Sequence, residues 1–264
     1  MIIAQDLINK IDAFAPKFLA ESVDPVGLQI GDPRQVIHHV MTALDVRPAV
    51  VQEAIDKKVD FIWAHHDMMF FPAKNLDLSV PQNKMYADLI KHNIVVYATH
   101  TNLDSTVDGM NDWLAEAIGI QNVRPLKPND DGKTGLGRIG YLTKSMTVKA
   151  YAEKIRDVFG VKTVRIIAND VNQPIKKVAV VGGDGGKFWH IAKAAGADAY
   201  VTADIYYHVG HDILAADFVA IDPDHHMEAI ANKYMSEKVK LWFDKADKLS
   251  AFPTSINTDP YTYL

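Results

Sequence analysis

Short apolar segments alternate with amphipathic helical segments along almost the whole chain, and this alternation constrains the fold more than any other feature. The segments 61–64 and 94–98 have the length and apolar content of buried strands, whereas 2–14 and 147–159 repeat their apolar residues at helical spacing. When strands alternate with helices, the chain crosses one face of the sheet before it begins the next, parallel strand. The sequence therefore predicts an α/β protein with two lobes and largely parallel sheets.

The best candidate boundary between the lobes is the polar segment Lys127–Lys133, which is rich in residues that form turns. We therefore expect an N-terminal lobe over 1–126 and a second lobe over 127–264. With 264 residues, of which 48% are hydrophobic, the chain is long enough for each lobe to bury a core. The last strand is expected over 251–261.

The composition excludes several kinds of site and partner. The chain has no cysteine, so disulfides, thiolate zinc sites and cysteine nucleophiles are ruled out. A formal net charge of -5 gives no electrostatic footprint for nucleic acid or for an anionic membrane surface. The N-terminus lacks the pattern of a signal peptide, and no apolar stretch is long enough to span a bilayer. We expect a cytoplasmic protein.

Three of the predicted strands end in histidine and carboxylate residues. His65 and His66 follow one strand, Thr99–Asp104 follows the next, and Asp222–Glu228 follows a strand near the C-terminus. In open α/β sheets, ligands collect at the carboxyl ends of the strands. Histidine nitrogen and carboxylate oxygen are suitable ligands for Zn, Mn, Fe, Co or Ni. We therefore expect a metal site between the two lobes, at the carboxyl ends of their strands.

The spacing of these residues adds to the metal hypothesis. Adjacent residues on an extended backbone point to opposite sides, so His65 and His66 would serve two neighbouring ions rather than one. His225 and Glu228 are three residues apart, which places both on one face if a helix begins there. Such a set could hold two ions that share a water or hydroxide. The structural alternative is one packed and one solvated histidine in the first pair, with His225 and His226 only capping a helix.

Two further features have both a functional and a structural interpretation. The glycine run 182–186 follows a strand and precedes a helix, so its amides could cradle a phosphate, or it could simply form a tight turn. Asp204 and His208 are four residues apart on a helix expected over 205–216. They form either a structural pair or a catalytic one, in which His208 carries protons to and from the site.

The strand ends above, together with Gly196–Asp198 and Thr202–His208, resemble in order the NIF-three-like family, whose members are often named type 2 homologues of GTP cyclohydrolase I. The resemblance runs over nearly the whole chain, without the middle domain that some members carry. It implies a dinuclear metal site and a toroidal homohexamer whose sites face an inner cavity. The positions that match the family's metal ligands are His65, His66, Asp104, His225 and Glu228.

Three positions depart from the family's usual pattern. Asp67 stands where the family usually has proline, Ala203 where it usually has glycine, and Asp224 where glycine commonly precedes the histidine. None of these departures removes a metal ligand. Asp67 and Asp224 add negative charge near the expected site, which would change the metal preference or the substrate charge that the site tolerates.

The resemblance implies a hydrolase with two divalent ions per chain, acting on a small molecule such as a nucleotide through a metal-bound hydroxide. His208 and Asp204 are the candidate catalytic residues beside the metal ligands. Two alternatives stay open. A metal-dependent phosphoesterase would use the same ligand set, and a non-catalytic metal-binding ring would instead recruit a protein partner.

Overall fold

The computed structural model describes the backbone of residues 1–264 and all of their side chains except that of Lys245. Strands and helices alternate through most of the chain, as the sequence predicts. The strands are β1 (Gly27–Ile30), β2 (His39–Ala43), β3 (Phe61–Ala64), β4 (Val95–Ala98), β5 (Ile120–Pro128), β6 (Gly135–Thr147), β7 (Arg165–Ile167), β8 (Pro174–Asp184), β9 (Ala199–Ala203), β10 (Val219–Asp222) and β11 (Ser250–Pro253). The α-helices are α1 (Ala4–Phe14), α2 (Pro48–Asp56), α3 (Pro81–Lys91), α4 (Thr101–Ser105), α5 (Met110–Ile118), α6 (Val148–Phe159), α7 (Trp189–Ala194), α8 (Tyr207–Ala215) and α9 (Ala231–Trp242). None of the described helices combines the length and the apolar character that a membrane crossing requires.

A five-stranded sheet forms the centre of the first compact unit, which comprises Met1–Leu103 and Ala231–Pro260. Its strand order is β1-β4-β3-β2-β11; the last four of these strands run parallel, and β1 is antiparallel to β4. β3 lies in the middle of the sheet, and all four of its residues are fully buried. The end of the chain returns to this unit, because β11 completes the sheet beside β2.

A six-stranded sheet forms the centre of the second unit, which comprises Asp104–Ile230 and Tyr261–Leu264. Its strand order is β5-β6-β8-β9-β10-β7. β8, β9 and β10 run parallel, whereas β5, β6 and β7 pair antiparallel with their neighbours. The predicted α/β class is confirmed. This second sheet is mixed, however, because β5, β6 and β8 pair antiparallel in turn and β7 pairs antiparallel with β10.

The two compact units have different bounds from the lobes expected at 1–126 and 127–264. The polar segment Lys127–Lys133 contains the end of β5 and the hairpin turn to β6. In that turn, the Asp131 carboxylate accepts hydrogen bonds from two following amides, each at 2.9 Å. Turn-forming residues mark a hairpin as readily as a linker, so composition alone does not separate the two.

The segment after β11 is held by a buried carboxylate on α2. Glu53 is only 8% exposed, and it accepts hydrogen bonds from the Ser255 amide at 3.0 Å and from the hydroxyls of Thr254 and Ser255. Lys57 donates to the same carboxylate at 2.6 Å. Burial alone would raise the pKa of Glu53, but these donors lower it to about 2. The strand expected over 251–261 ends at Pro253, because the polar groups that follow bond to Glu53.

Glu53→Gln is expected to lower the free energy of unfolding by about 1–3 kcal/mol near neutral pH, because a neutral amide replaces a charged acceptor of several hydrogen bonds. The pKa of Glu53 is lowered in the folded state, so its contribution is fully present above the ordinary pKa of 4.5 and is lost as the pH falls toward about 2. Urea unfolding of the variant and the wild type should therefore converge over this pH range. The exposed Glu237→Gln serves as control. A difference that does not shrink in acid would contradict the assignment.

Candidate metal centre

Three histidines come together in the first unit where β3 and β4 end side by side. The two strands pair in parallel, so the residues that follow them leave the same edge of the sheet. The ring centroids of His65 and His66 are 4.9 Å apart, and His100 lies 5.4 and 5.5 Å from them. The expected orientation of His65 and His66 to opposite sides does not occur, because β3 ends at Ala64 and the chain bends at both histidines.

A hydrogen-bond acceptor orients each of the two adjacent histidines through Nδ1. The acceptors are the carbonyl oxygen of Thr99, 2.9 Å from His65 Nδ1, and the carboxylate of Asp45, 2.8 Å from His66 Nδ1. Asp45 is itself fixed by a 2.6 Å hydrogen bond from the Thr258 hydroxyl. When Nδ1 of a neutral imidazole carries the proton, Nε2 carries the lone pair that binds a metal. Proteins commonly orient metal-binding histidines by such outer contacts.

In the second unit, the segment after β10 forms a 3-10 turn over His225–Ile230 before α9 begins. Residues three apart eclipse one another in a 3-10 turn, and His225 Nε2 accordingly lies 3.2 Å from Glu228 Oε2. The carboxylates of Asp104 and Glu228 offer oxygens within 4.8 Å of each other. Glu228 is 2% exposed and Asp104 8% exposed. These three side chains therefore form a compact set of nitrogen and oxygen ligands.

Asp204 orients His225 rather than His208. Its Oδ2 lies 2.6 Å from His225 Nδ1, whereas His208 is exposed on α8. Burial alone would lower the pKa of His225, but the carboxylates of Glu228 and Asp204 raise it to about 10. The Asp204–His208 pairing expected from the four-residue spacing is thus replaced by a contact with the segment after β10.

Glycines in β8 make room for these ligand side chains. A Cβ atom on Gly182 would come within 2.6 Å of Glu228 Oε1, and one on Gly183 would come within 2.9 Å of His225 Nε2. The Gly182 amide donates to the side chain of Asn111 at 3.0 Å. Because that amide is already used, the phosphate-cradle interpretation of the glycine run loses one of its donors. The run instead lets the 3-10 turn pack closely against β8.

The residues present fit a divalent metal ion. Nitrogen and oxygen donors converge in groups of histidine, aspartate and glutamate that could each hold an ion. Acceptors at 2.8–2.9 Å hold the Nδ1 atoms of His65 and His66, which is the arrangement that leaves Nε2 for a metal. The Nδ1 of His225 is held by Asp204 at 2.6 Å, and its Nε2 lies 3.2 Å from Glu228 Oε2. The glycine cradle beside Glu228 and His225 adds a backbone feature that larger residues would destroy.

A cavity of about 300 Å³ lies in the second unit, and Asp204, which orients His225, forms part of its wall. It is lined by Thr163, Arg165, Asp204, Asp222, Asp224, Tyr261 and Tyr263. Arg165 forms an ion pair with the buried Asp222, whose pKa is raised by burial. Three carboxylates outnumber the one guanidinium among these lining residues. The cavity therefore favours neutral groups and hydrogen-bond donors over a phosphate.

Comparison with known proteins agrees with this architecture. The family model of Duf34/NIF3 (NGG1p interacting factor 3) matches residues 2–260. Proteins named GTP cyclohydrolase 1 type 2 homolog from Streptococcus pneumoniae serotype 4 and from Lactococcus lactis are 38% and 36% identical, covering 100% and 97% of both chains. The crystal structure of a Bacillus cereus protein related to NIF3 superposes with a TM-score of 0.95 at 28% identity, covering 100% of this chain and 99% of the other. The chain belongs to the Duf34/NIF3 family.

Proposed function

We propose that this protein is a metal-dependent hydrolase with two divalent ions per chain. The ligands in this proposal are His65, His66, Asp104, His225 and Glu228. The proposal rests on one observation: a hydrogen-bond acceptor holds the Nδ1 atom of His65, of His66 and of His225. A histidine that only fills the core needs one satisfied nitrogen, whereas a metal ligand needs a fixed ring and tautomer.

The side chains would have different roles in such a site. Two divalent ions would supply Lewis-acid activation of a water and would stabilise the negative charge that develops on the substrate. Asp104 and Glu228 bring the negative charge that offsets two dications. Asp45 and Asp204 fix the imidazole rings of their histidine partners, so the rings lose little freedom when they bind.

The acidic cavity favours a nucleotide ring over a simple phosphoester as the group that is bound beside the site. The name shared by the two relatives, GTP cyclohydrolase 1 type 2 homolog, points to the ring of GTP in the case of those proteins. Asp204, Asp222 and Asp224 would repel a phosphate, but they accept hydrogen bonds from ring N–H groups. We therefore place ring hydrolysis before phosphoester hydrolysis as the proposed reaction.

The test is turnover by protein reloaded with Mn²⁺, Zn²⁺ or Fe²⁺, measured on GTP and on a phosphoester. Hydrolysis that depends on the added metal supports the proposal, and ring opening without phosphate release supports the ring over the phosphoester. Full metal occupancy with no turnover on either substrate would contradict it and favour a metal-binding ring that recruits a partner. The homohexamer that the family resemblance implies stays a prediction, which light scattering tests.

Asp204→Asn is expected to weaken metal binding by roughly 10–100-fold, because the carboxylate that fixes the His225 ring is lost. His208→Asn should leave metal affinity unchanged, because His208 is exposed on α8 and Asp204 contacts His225 instead. Calorimetric titration with Zn²⁺ compares both variants with the exposed control His190→Asn. Equal affinities for Asp204→Asn and the control would contradict the positioning role. Turnover of His208→Asn separately tests its predicted role as a proton carrier.

A further inference from the structure

Asp67 in the first unit is a buried carboxylate that accepts no hydrogen bond. Its side chain is 1% exposed, and neither of its carboxylate oxygens has a hydrogen-bond partner. The Nδ1 atom of His100 lies 3.6 Å from Asp67 Oδ2, which is too long for a hydrogen bond. A buried carboxylate without hydrogen bonds is costly unless a positive charge lies against it. His100 supplies such a charge only when its imidazole is protonated, so with a neutral His100 the position favours a bound cation.

A second buried carboxylate lies beside the first. The side chain of Asp24 is 3% exposed, and its Oδ1 is 3.0 Å from His100 Nδ1. Its Oδ2 accepts hydrogen bonds from the Thr101 amide at 2.9 Å and from the Thr101 hydroxyl, so the group is held in place. Two carboxylates packed side by side in this way repel one another unless a cation or a shared proton lies between them.

We propose that Asp24, Asp67 and His100 bind a divalent cation that is additional to those held by the five ligands named above. Each residue offers one ligand atom, and these atoms all lie within 4.8 Å of one another. Two carboxylate oxygens and one imidazole nitrogen suit Mn²⁺, Fe²⁺ or Zn²⁺. Binding through His100 Nδ1 requires the proton on that nitrogen to leave for solvent or to move to Nε2.

Asp67 supplies the second carboxylate oxygen of this group. Asp24 and His100 without Asp67 would leave one carboxylate beside one histidine, an ordinary hydrogen-bonded pair. The inference does not depend on hydrolysis, because it concerns how many ions the chain binds and which residues hold them.

The test is the number of Mn²⁺ ions bound by the full-length, metal-stripped protein, measured by equilibrium dialysis and elemental analysis. Wild type is expected to bind about one ion per chain more than Asp67→Asn or Asp67→Pro. Asp77→Asn, an exposed change after the same strand, should match the wild type. Circular dichroism confirms that each variant is folded, and His100→Asn provides another variant that should lose the same ion.

Two results would overturn the proposal. Equal numbers of bound ions in wild type and in every folded variant would show that no cation needs Asp67. An infrared band of a protonated carboxyl group that persists at saturating Mn²⁺ and disappears in Asp67→Asn would assign a shared proton to the pair. The same comparison in a Glu228→Gln background separates this site from the proposed hydrolase site, because the loss caused by Asp67→Asn should persist there.

Discussion

Glu228→Gln is expected to remove most of the bound metal from the purified protein, lowering its affinity by roughly a hundredfold or more. Glu228 is 2% exposed and lies 3.2 Å from His225 Nε2, and its carboxylate also approaches that of Asp104. Glutamine keeps the size of the side chain but removes a charge that offsets two dications. Elemental analysis after reconstitution with Zn²⁺ or Mn²⁺ measures the loss.

The packing around Glu228 makes this substitution a clean test. Gly182 leaves just enough room for the carboxylate, and glutamine has the same shape, so the 3-10 turn should keep its contacts with β8. In the metal-free protein Glu228 is paired with His225, so removing its charge should lower the melting temperature, and metal occupancy is compared only between folded samples. Glu237→Gln, an exposed change on α9, serves as the matched control. Full metal occupancy in Glu228→Gln would contradict its role as a ligand.

The parts of the site that could be predicted from sequence are those encoded locally. His65 and His66 directly follow a fully buried strand, and the three-residue spacing of His225 and Glu228 needs only one turn of helix to bring them together. His100 lies in the polar segment Thr99–Asp104, which the sequence also indicates as a strand end with candidate ligands. Its closeness to His65 depends on the parallel register of β3 and β4, which the local pattern does not specify.

Other parts depend on contacts that no local pattern encodes. Asp24 contacts His100, which is 76 residues later in the sequence, and Asp45 contacts His66, which is 21 residues later. The expected pairing of Asp204 with a residue four positions later fails for a different reason. Asp204 has a left-handed backbone conformation, with φ of 51°, and α8 does not begin until Tyr207, so helical spacing does not apply to it.

The sequence of β5 does not resemble that of a strand. Most of its residues, Ile120–Pro128, are exposed, and two of them are prolines, so neither alternation nor a continuous apolar run appears. Its pairing with β6 also has a register shift between Gln121 and Arg124. Edge strands commonly carry such residues, because they need only one hydrogen-bonded neighbour. The hairpin, and with it the mixed character of the second sheet, therefore becomes evident only from the fold.

Arg138→Met is expected to lower the free energy of unfolding by about 3–5 kcal/mol, because it removes the charge that satisfies a buried polar cluster. Arg138 is 2% exposed on β6 and donates two hydrogen bonds to Asp112, at 2.5 and 2.7 Å. It also donates to the carbonyl oxygens of Gly135, Gly137 and Thr106, at 2.8–2.9 Å. Methionine fills a similar volume but donates none of these hydrogen bonds, and the Asp112 carboxylate keeps the one from the Asp108 amide, at 2.7 Å.

The loss of Arg138 should also affect the candidate metal centre, because α5 connects the two. Asp112 lies on α5 beside Asn111, whose side chain donates to the Asp104 carbonyl oxygen at 3.0 Å and accepts from the Gly182 amide at 3.0 Å. Loosening α5 should therefore weaken metal binding at Asp104 as well as the fold. Urea unfolding of Arg138→Met, Asp112→Leu and the double variant measures the coupling between the two residues.

The double variant decides whether the lost stability comes from an unpaired charge. If it does, Arg138→Met combined with Asp112→Leu should be about as stable as the worse single variant, or more stable, because the half-buried Asp112 carboxylate is no longer left without its cation. Arg34→Met is the control: Arg34 forms an ion pair with Asp32 but its side chain is 84% exposed, so its loss should cost no more than about 0.5 kcal/mol. If Arg138→Met lowers the free energy of unfolding as little as this control does, the Arg138 cluster does not stabilise the second unit.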